Sequence, residues 1–349
     1  MRIAIDKSPL NRDNLAQHEV RGSGTYIREL INNMSIYDRK NSYTIIENKS
    51  VPLSGFDLVH YPYFEPFFLS LPLRVKIPAI VTVHDLIPLV FPKMFPVGVK
   101  GRLKWEIQKQ ALKNKNLIVT DSESSRKDIL RIVSVNPKKV RVVPLAASKV
   151  FRKKTKEKRV LKKYNFPEDF ILYVGDATWN KNLVRIAEAV KKTNTNIVMV
   201  GKALRNENYD KKNAWNKELA SFQDIIKNDN HFFLPGFVED EDLNDLYNHA
   251  SIFLMPSLYE GFGLGVLEAM QAGCPVITSK VSSLEEVGGD APCYIDANDS
   301  GSIAKGIEEL LDNKRVLEEM SEKGLKQAKQ FTWEKFVTGM EKVYEDVFI

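Results

Sequence analysis

The chain has 349 residues, with 51 lysines and arginines against 45 aspartates and glutamates, a net charge of +6 and two cysteines. It is long enough to bury two cores, ordinary enough in apolar and charged content to exclude a disordered or fibrous protein, and too poor in cysteine for a disulfide framework. No apolar run reaches the length of a membrane span, and MRIAID opens directly on a strand pattern, so neither a signal peptide nor a transmembrane helix is expected.

Arg2 to Asp6 reads as a first strand. Arg21-Gly22-Ser23-Gly24 then stands as a glycine-rich loop before a helix from Gly24 to Met34, with Tyr26, Ile27, Leu30 and Ile31 on one face. Short apolar runs recur at Tyr43 to Ile46, Leu58 to Tyr61, Ala79 to Val83, Leu117 to Thr120 and Val140 to Pro144, with helical stretches at Arg102 to Leu112 and Ser124 to Val133. Such alternation predicts parallel sheets covered by helices. His84 follows one of these strands in Thr82-Val83-His84-Asp85-Leu86, and His60 lies at the end of another.

The pattern breaks at Ala147 to Pro167, a stretch dense in Lys153, Lys154, Lys156, Lys158, Arg159, Lys162 and Lys163. A solvated basic linker is the expected reading, with attraction to anionic lipid or to a pyrophosphate-linked acceptor as the alternative. Lys93 to Lys115 is basic as well. Nucleic acid is not expected, since no recognition motif accompanies the charge. Strands resume at Phe170 to Val174, Ile197 to Gly201, Phe232 to Leu234, Ile252 to Met255 and Pro275 to Thr278, with helices between. The expected organisation is a Rossmann-like domain over residues 1–150, a basic linker over 151–168 and a second Rossmann-like domain over 169–331. A terminal amphipathic helix over 332–349 carries Trp333, Phe336, Val337, Met340, Val343, Tyr344 and Val347 at helical spacing. Ligands of such sheets sit beyond the carboxyl ends of the strands, and with two sheets the natural site is the cleft between them.

Residues 254 to 278, LMPSLYEGFGLGVLEAMQAGCPVIT, carry the most chemistry. A buried strand runs into a loop whose Gly261, Gly263 and Gly265 alternate with Phe262 and Leu264, and a helix follows. The glycines allow close backbone approach to a ligand, and the helix start offers N–H groups to an anion. Glu260 and Glu268 bracket the loop, so a pyrophosphate cradle lies between two acceptors for hydroxyl groups.

This spacing, with the Glu260 to Leu264 sequence EGFGL, resembles the donor-site signature of retaining glycosyltransferases of family 4, whose fold is GT-B: two doubly wound Rossmann-like domains facing a central cleft. The resemblance implies that Glu260 orients the transferred sugar and that Glu268 holds the ribose hydroxyls; a helix-start glutamate favoured by the dipole is the plain alternative for Glu268. It also places Gly175 and Lys181, in VGDATWNKNL, at the second donor-site element, where lysine neutralises phosphate. Relatives often carry an arginine where Asp176 or Asn180 stands, and proline at Gly265; Arg185 and Lys202 are the candidates for the missing charge. By the same resemblance His84 contacts the donor sugar, Gly22 and Gly24 approach the diphosphate or acceptor, and the backbone at Phe237 and Val238 reads the nucleobase. Ser282 and Ser283 match a late loop near the donor without an assigned role. No cluster has metal-ligand spacing, and a GT-B resemblance implies metal independence and no cofactor beyond the nucleotide sugar.

The sequence therefore predicts a metal-independent retaining hexosyltransferase of surface-polysaccharide synthesis. GDP-mannose is the favoured donor, with a UDP-sugar as the alternative. The acceptor is a glycan or a lipid-pyrophosphate-linked oligosaccharide, and the expected location is cytoplasmic, with peripheral contact to the anionic inner membrane surface. A phosphorylase-type enzyme and a non-catalytic nucleotide- or glycan-binding subunit on the same scaffold stay open as rivals.

Overall fold

The computed structural model describes residues 1–8, 22–47 and 51–349. By internal contacts the chain divides into two units: Met1–Pro92 with Val97–Leu145 and Thr332–Ile349, and Lys93–Pro96 with Ala146–Phe331.

The first unit runs β1 (Arg2–Asp6), α1 (Gly22–Tyr37), β2 (Ser42–Ile46), β3 (Leu58–Tyr61), β4 (Ala79–Thr82), α2 (Ile87–Val90), α3 (Val99–Lys113), β5 (Leu117–Thr120), α4 (Glu123–Val133) and β6 (Val140–Val142). Its strands pair in parallel in the order β2-β1-β3-β4-β5-β6. Strands β3, β4 and β5 are buried along their whole length, which is why they appear in sequence as predominantly apolar runs, interrupted only by His60, Thr82 and Thr120, rather than alternating ones. Helix α4 begins where the Ser122 hydroxyl accepts the Ser125 N–H, and it stops at Ser134 in the left-handed region, φ 58°.

The second unit contains α5 (Arg159–Tyr164), β7 (Ile171–Val174), α6 (Leu183–Thr193), β8 (Ile197–Val200), α7 (Lys217–Ile226), β9 (Phe232–Gly236), α8 (Asp240–His249), β10 (Ile252–Met255), α9 (Leu264–Gln271), β11 (Val276–Ser279), α10 (Leu284–Gly288), β12 (Cys293–Ile295), α11 (Ser300–Leu311) and α12 (Lys314–Ala328). Its parallel sheet has the order β12-β11-β10-β7-β8-β9. The core between sheet and helices includes Ile171, Tyr173, Ile186, Val190, Met199, Phe222 and Leu254.

The last helix, α13 (Trp333–Asp346), belongs to the first unit. Thr332 caps it by accepting the Lys335 N–H, and Trp333, Phe336, Val337, Met340, Val343 and Tyr344 are buried. Phe336 meets the Tyr26 ring of α1 edge-on, and the Tyr344 hydroxyl lies 3.0 Å from His60 Nδ1.

Two expectations change. Helix α1 takes in Gly22 and Gly24, so the glycine-rich loop expected there ends at least two residues earlier; Arg21 and His18 lie outside the described residues. The basic stretch 151–168 is not a solvated tether but a packed part of the second unit, carrying α5. Arg159 pairs with Asp242 and Asp245 of α8 at 2.7 and 3.0 Å, Lys154 pairs with Asp245, and Lys163 with Asp242. Those two carboxylates are buried, and leaving them unpaired would be costly, so Lys154, Arg159 and Lys163 are explained by what they neutralise, while Lys153, Lys156, Lys158 and Lys162 stay exposed. Main-chain ties reinforce it: the N–H groups of Arg152 and Lys154 donate to Asn244 Oδ1 and Asn248 Oδ1.

Candidate active site

In the second sheet β7 and β10 are neighbours, and the chain proceeds outward from them in opposite directions. Open parallel sheets bind ligands beyond the carboxyl ends of the strands at such a reversal. Strand β7 leads to Gly175 and Lys181, and β10 leads to Glu260, so the two motifs singled out in the sequence converge by topology.

They meet directly. Lys181 Nζ lies 2.6 Å from Glu260 Oε1, with the lysine side chain 19% and the glutamate 9% exposed. The Ser257 hydroxyl donates to the same oxygen at 2.7 Å. Both contacts fall on Oε1 and neither on Oε2.

The loop then turns into α9. Gly263 has φ +99°, a conformation that strongly favours glycine, and a Cβ there would stand 2.8 Å from Leu284. Helix α9 starts without a side-chain cap, so its first N–H groups have no intrahelical acceptor and face an anion well. Gly265 is the second helical residue and lies against the Phe253 ring. Phe262 turns inward onto Phe331, ring centroids 5.9 Å apart, so its contribution to a site is through its backbone. Glu268 sits one turn into α9 and accepts the Tyr247 hydroxyl at 3.1 Å. Burial, with a smaller contribution from Asp240, pushes its carboxyl up to about 8. A neutral carboxyl both donates and accepts hydrogen bonds, which suits it to hydroxyl groups.

Gly175 ends β7, where a Cβ would approach the Tyr173 hydroxyl to 2.5 Å; the space beside this glycine is taken by its own neighbour. Asn180, read in sequence as a lost charge, is 4% exposed and donates to the Tyr259 carbonyl at 2.9 Å. Asn182 donates to the carbonyls of Pro256 and Ala297. The guanidinium of Arg185 is engaged by Asn298 O and Asn182 Oδ1, and Lys202 opens a single 3-10 turn, Lys202–Arg205. At the end of β9, Phe237 is half exposed and Val238 buried.

In the first unit His84 and Asp121 follow the adjacent strands β4 and β5. His84 Nδ1 lies 2.6 Å from Asp121 Oδ2, and Tyr26 packs edge-on against the imidazole at 4.5 Å. Its Nε2 has no partner among the described residues. Burial lowers the imidazole's proton affinity, but the charge and hydrogen bond of Asp121, with Asp85, outweigh it and raise the pKa. His60 is different: 0% exposed and held between Tyr344 and Thr82, it is driven by burial and the nearby His84 to about 3 and stays neutral. Asp121, Ser257 and Tyr247 were not foreseen, and Asn180 was weighed only as a missing charge. Of the first three Asp121 alone had a sequence signal, its place just past an apolar run.

Among the described residues no group of three or more His, Cys, Asp or Glu side chains is arranged to hold a metal ion, and no helix is long and apolar enough to cross a membrane.

Two six-stranded parallel sheets covered by helices, each in its own unit, define an α/β fold of the GT-B class. Residues 154–327 match the family described as Glycosyl transferases group 1, and residues 11–147 the one described as Glycosyltransferase Family 4. The chain belongs to the group 1 glycosyltransferases and is a glycosyltransferase. O-antigen chain mannosyltransferase B of Escherichia coli is 32% identical over 293 residues, covering 81% of this chain and 73% of that protein. Sucrose-phosphate synthase from Thermosynechococcus elongatus superposes with a TM-score of 0.77 at 18% identity, over 100% of this chain and 99% of that one. Anabaena HepE, solved in complex with UDP-glucose, gives 0.72 at 14% identity over 99% of both chains.

Proposed function

We propose that this glycosyltransferase moves a hexose, mannose in the favoured case, from a nucleotide diphosphate sugar to a hydroxyl of a glycan or lipid-linked acceptor in surface-polysaccharide synthesis, with retention at the anomeric carbon. The observation that carries the reading is the Lys181–Glu260 pair beyond the carboxyl ends of β7 and β10, with Glu268 eight residues after Glu260 in the chain. The similarity to the O-antigen mannosyltransferase supports mannose, and with it GDP-mannose over a UDP-sugar.

In this reading Glu260 Oε2 accepts hydroxyl groups of the donor sugar while Lys181 and Ser257 hold Oε1. The Lys181 ammonium and the first N–H groups of α9 take up charge expelled onto the leaving diphosphate. Glu268 receives the ribose hydroxyls. His84 presents Nε2 as a hydrogen-bond donor to the sugar. With Lys181 paired to its Oε1, the part of Glu260 is orientation of the donor.

Peripheral membrane contact fits α3, whose Lys100, Arg102, Lys104, Lys109 and Lys113 outnumber the single acid Glu106, while Val99 and Leu103 are 83% and 64% exposed. Flotation with vesicles containing anionic lipid tests this part; recovery equal to that with zwitterionic vesicles speaks against it.

The central test is turnover on a panel of nucleotide sugars with the wild type and Glu260→Ala. Transfer from one donor, lost in Glu260→Ala with nucleotide affinity retained, supports the proposal. Tight nucleotide binding without turnover on any donor would overturn it.

A further inference from the structure

The stretch after β10, residues 255–260, delivers Glu260 to the site, and the six residues 278–283, Thr-Ser-Lys-Val-Ser-Ser, run beside it. All four hydroxyl side chains of the second segment bond the backbone of the first. Thr278 donates to the Met255 carbonyl at 2.7 Å and Ser279 to that of Ser257. The Ser282 hydroxyl accepts the Glu260 N–H at 2.9 Å, and Ser283 donates to the Glu260 carbonyl at 2.9 Å.

Both backbone polar groups of Glu260 are thus taken by two consecutive serines. Thr278, Ser279 and Ser283 are 1% exposed or less, so these are not solvent-facing hydroxyls with an incidental neighbour. Ser282 adopts φ +48°, a left-handed conformation that serine seldom takes. Such strain persists where surrounding contacts impose it, and here it turns two adjacent hydroxyls onto one residue. From the opposite side Asn180 and Asn182 hold the carbonyls of Tyr259 and Pro256.

We propose that Ser282 and Ser283 are positioning residues for Glu260, fixing the backbone from which its carboxylate leaves so that Oε1 meets Lys181 and Ser257 and Oε2 is left for the donor. They act through Glu260 and touch no substrate. The inference rests on the reading of Glu260 as the residue that orients the transferred sugar, and it assigns the late loop a task that its sequence did not disclose.

The test compares Ser282→Gly, Ser283→Val, Ser283→Thr and Glu260→Ala in the full chain. Initial rates are measured on the donor identified from the panel, with nucleotide affinity by calorimetry and thermal melting as a check on folding. Glycine accepts a positive φ, so Ser282→Gly removes the hydroxyl without adding strain. Valine is near the size of threonine but has no hydroxyl, so the pair at 283 separates bonding from volume.

Misplacement of a reacting group by about an ångström costs on the order of 100-fold in rate. Ser282→Gly and Ser283→Val are expected to lower kcat roughly 10- to 100-fold, with donor KM and nucleotide affinity within about threefold of wild type. Ser283→Thr is expected to restore most of kcat. Wild-type kcat in Ser282→Gly and Ser283→Val, with Glu260→Ala inactive, would overturn the positioning role and leave the site reading intact. Equal losses of nucleotide affinity and kcat would also overturn it, as general damage to the loop. Full turnover in Glu260→Ala would sink the site reading itself. If Ser283→Val does not fold, Ser282→Gly decides alone.

Discussion

His84 Nδ1 and Asp121 Oδ2 stand 2.6 Å apart at the ends of adjacent parallel strands, and this contact sets the charge of the imidazole. The other groups around His84 are Asp85, which also raises its pKa, the un-ionised Tyr26 and the neutral His60. Because the folded pKa is raised above the unfolded value, the pair's contribution to stability is fully present below the unfolded pKa of about 6.5 and is lost as pH rises through the folded one. Asp121→Asn is therefore expected to lower the melting temperature more at pH 6 than at pH 9. In an NMR titration the His84 ring signal, identified by its loss in His84→Gln, should titrate above the ordinary histidine range in the wild type and below it in Asp121→Asn. An unchanged midpoint in Asp121→Asn would refute this account of His84.

Glu268 and Glu260 should respond differently to the same substitution. The carboxyl of Glu268 is raised to about 8 by burial, so glutamine resembles its neutral form and keeps an acceptor for the Tyr247 hydroxyl. Glu268→Gln is expected to bind nucleotide within about threefold of wild type, and Glu268→Ala about tenfold more weakly, a loss of about 1.4 kcal/mol. Glu260→Gln, which removes the charge opposite Lys181, should instead reduce turnover by at least about 100-fold. Calorimetry and initial rates check both; equal effects of the two glutamine variants on turnover would count against the division of roles.

Tyr344 holds α13 to β3 through His60. Tyr344→Phe leaves a buried ring nitrogen of His60 without its partner and is expected to destabilise the first unit by about 1–2 kcal/mol. Chemical denaturation should show the shift, while nucleotide affinity, which the proposed site assigns to residues of the second unit, should stay at the wild-type value.

Gly201 follows β8, and a Cβ there would lie 2.1 Å from the Gly175 carbonyl oxygen, a contact with backbone that no side-chain rotation relieves. Gly201→Ala is expected to cost about 1–3 kcal/mol and, by displacing the segment that leads to Lys181, to lower kcat. Gly98, with nothing within 4 Å of an added Cβ, is the matched control, and Gly98→Ala should change stability by less than about 0.5 kcal/mol.

The strands were legible because parallel sheets bury both faces: β3, β5 and β10 stand out as apolar runs bounded by polar or glycine residues. The short β12, only three residues and preceded by Pro292, gave no such signal. Glu260, Glu268 and Lys181 were visible because their spacing is local to one strand–loop–helix passage each. What escaped were side chains whose meaning is tertiary. Asn180 looked like a missing cation until its amide was seen on Tyr259, and Ser282 and Ser283 matched a late loop near the donor without an assigned role because their partner, Glu260, lies about two dozen residues earlier. Lys154, Arg159 and Lys163 looked like part of a tether because the carboxylates that pair with them, Asp242 and Asp245, arrive some 80 residues later.

Because α13 belongs to the first unit although it follows the second in the chain, order of synthesis and order of completion differ. On the ribosome, residues 1–145 emerge with the faces of Tyr26 and His60 uncovered, and they wait through the whole of the second unit for Phe336 and Tyr344 to arrive. A gene fragment ending at residue 331 would encode one finished half and one still missing a wall; joining the codons of residues 332–349 to those of residues 1–145 is the way to obtain that half alone.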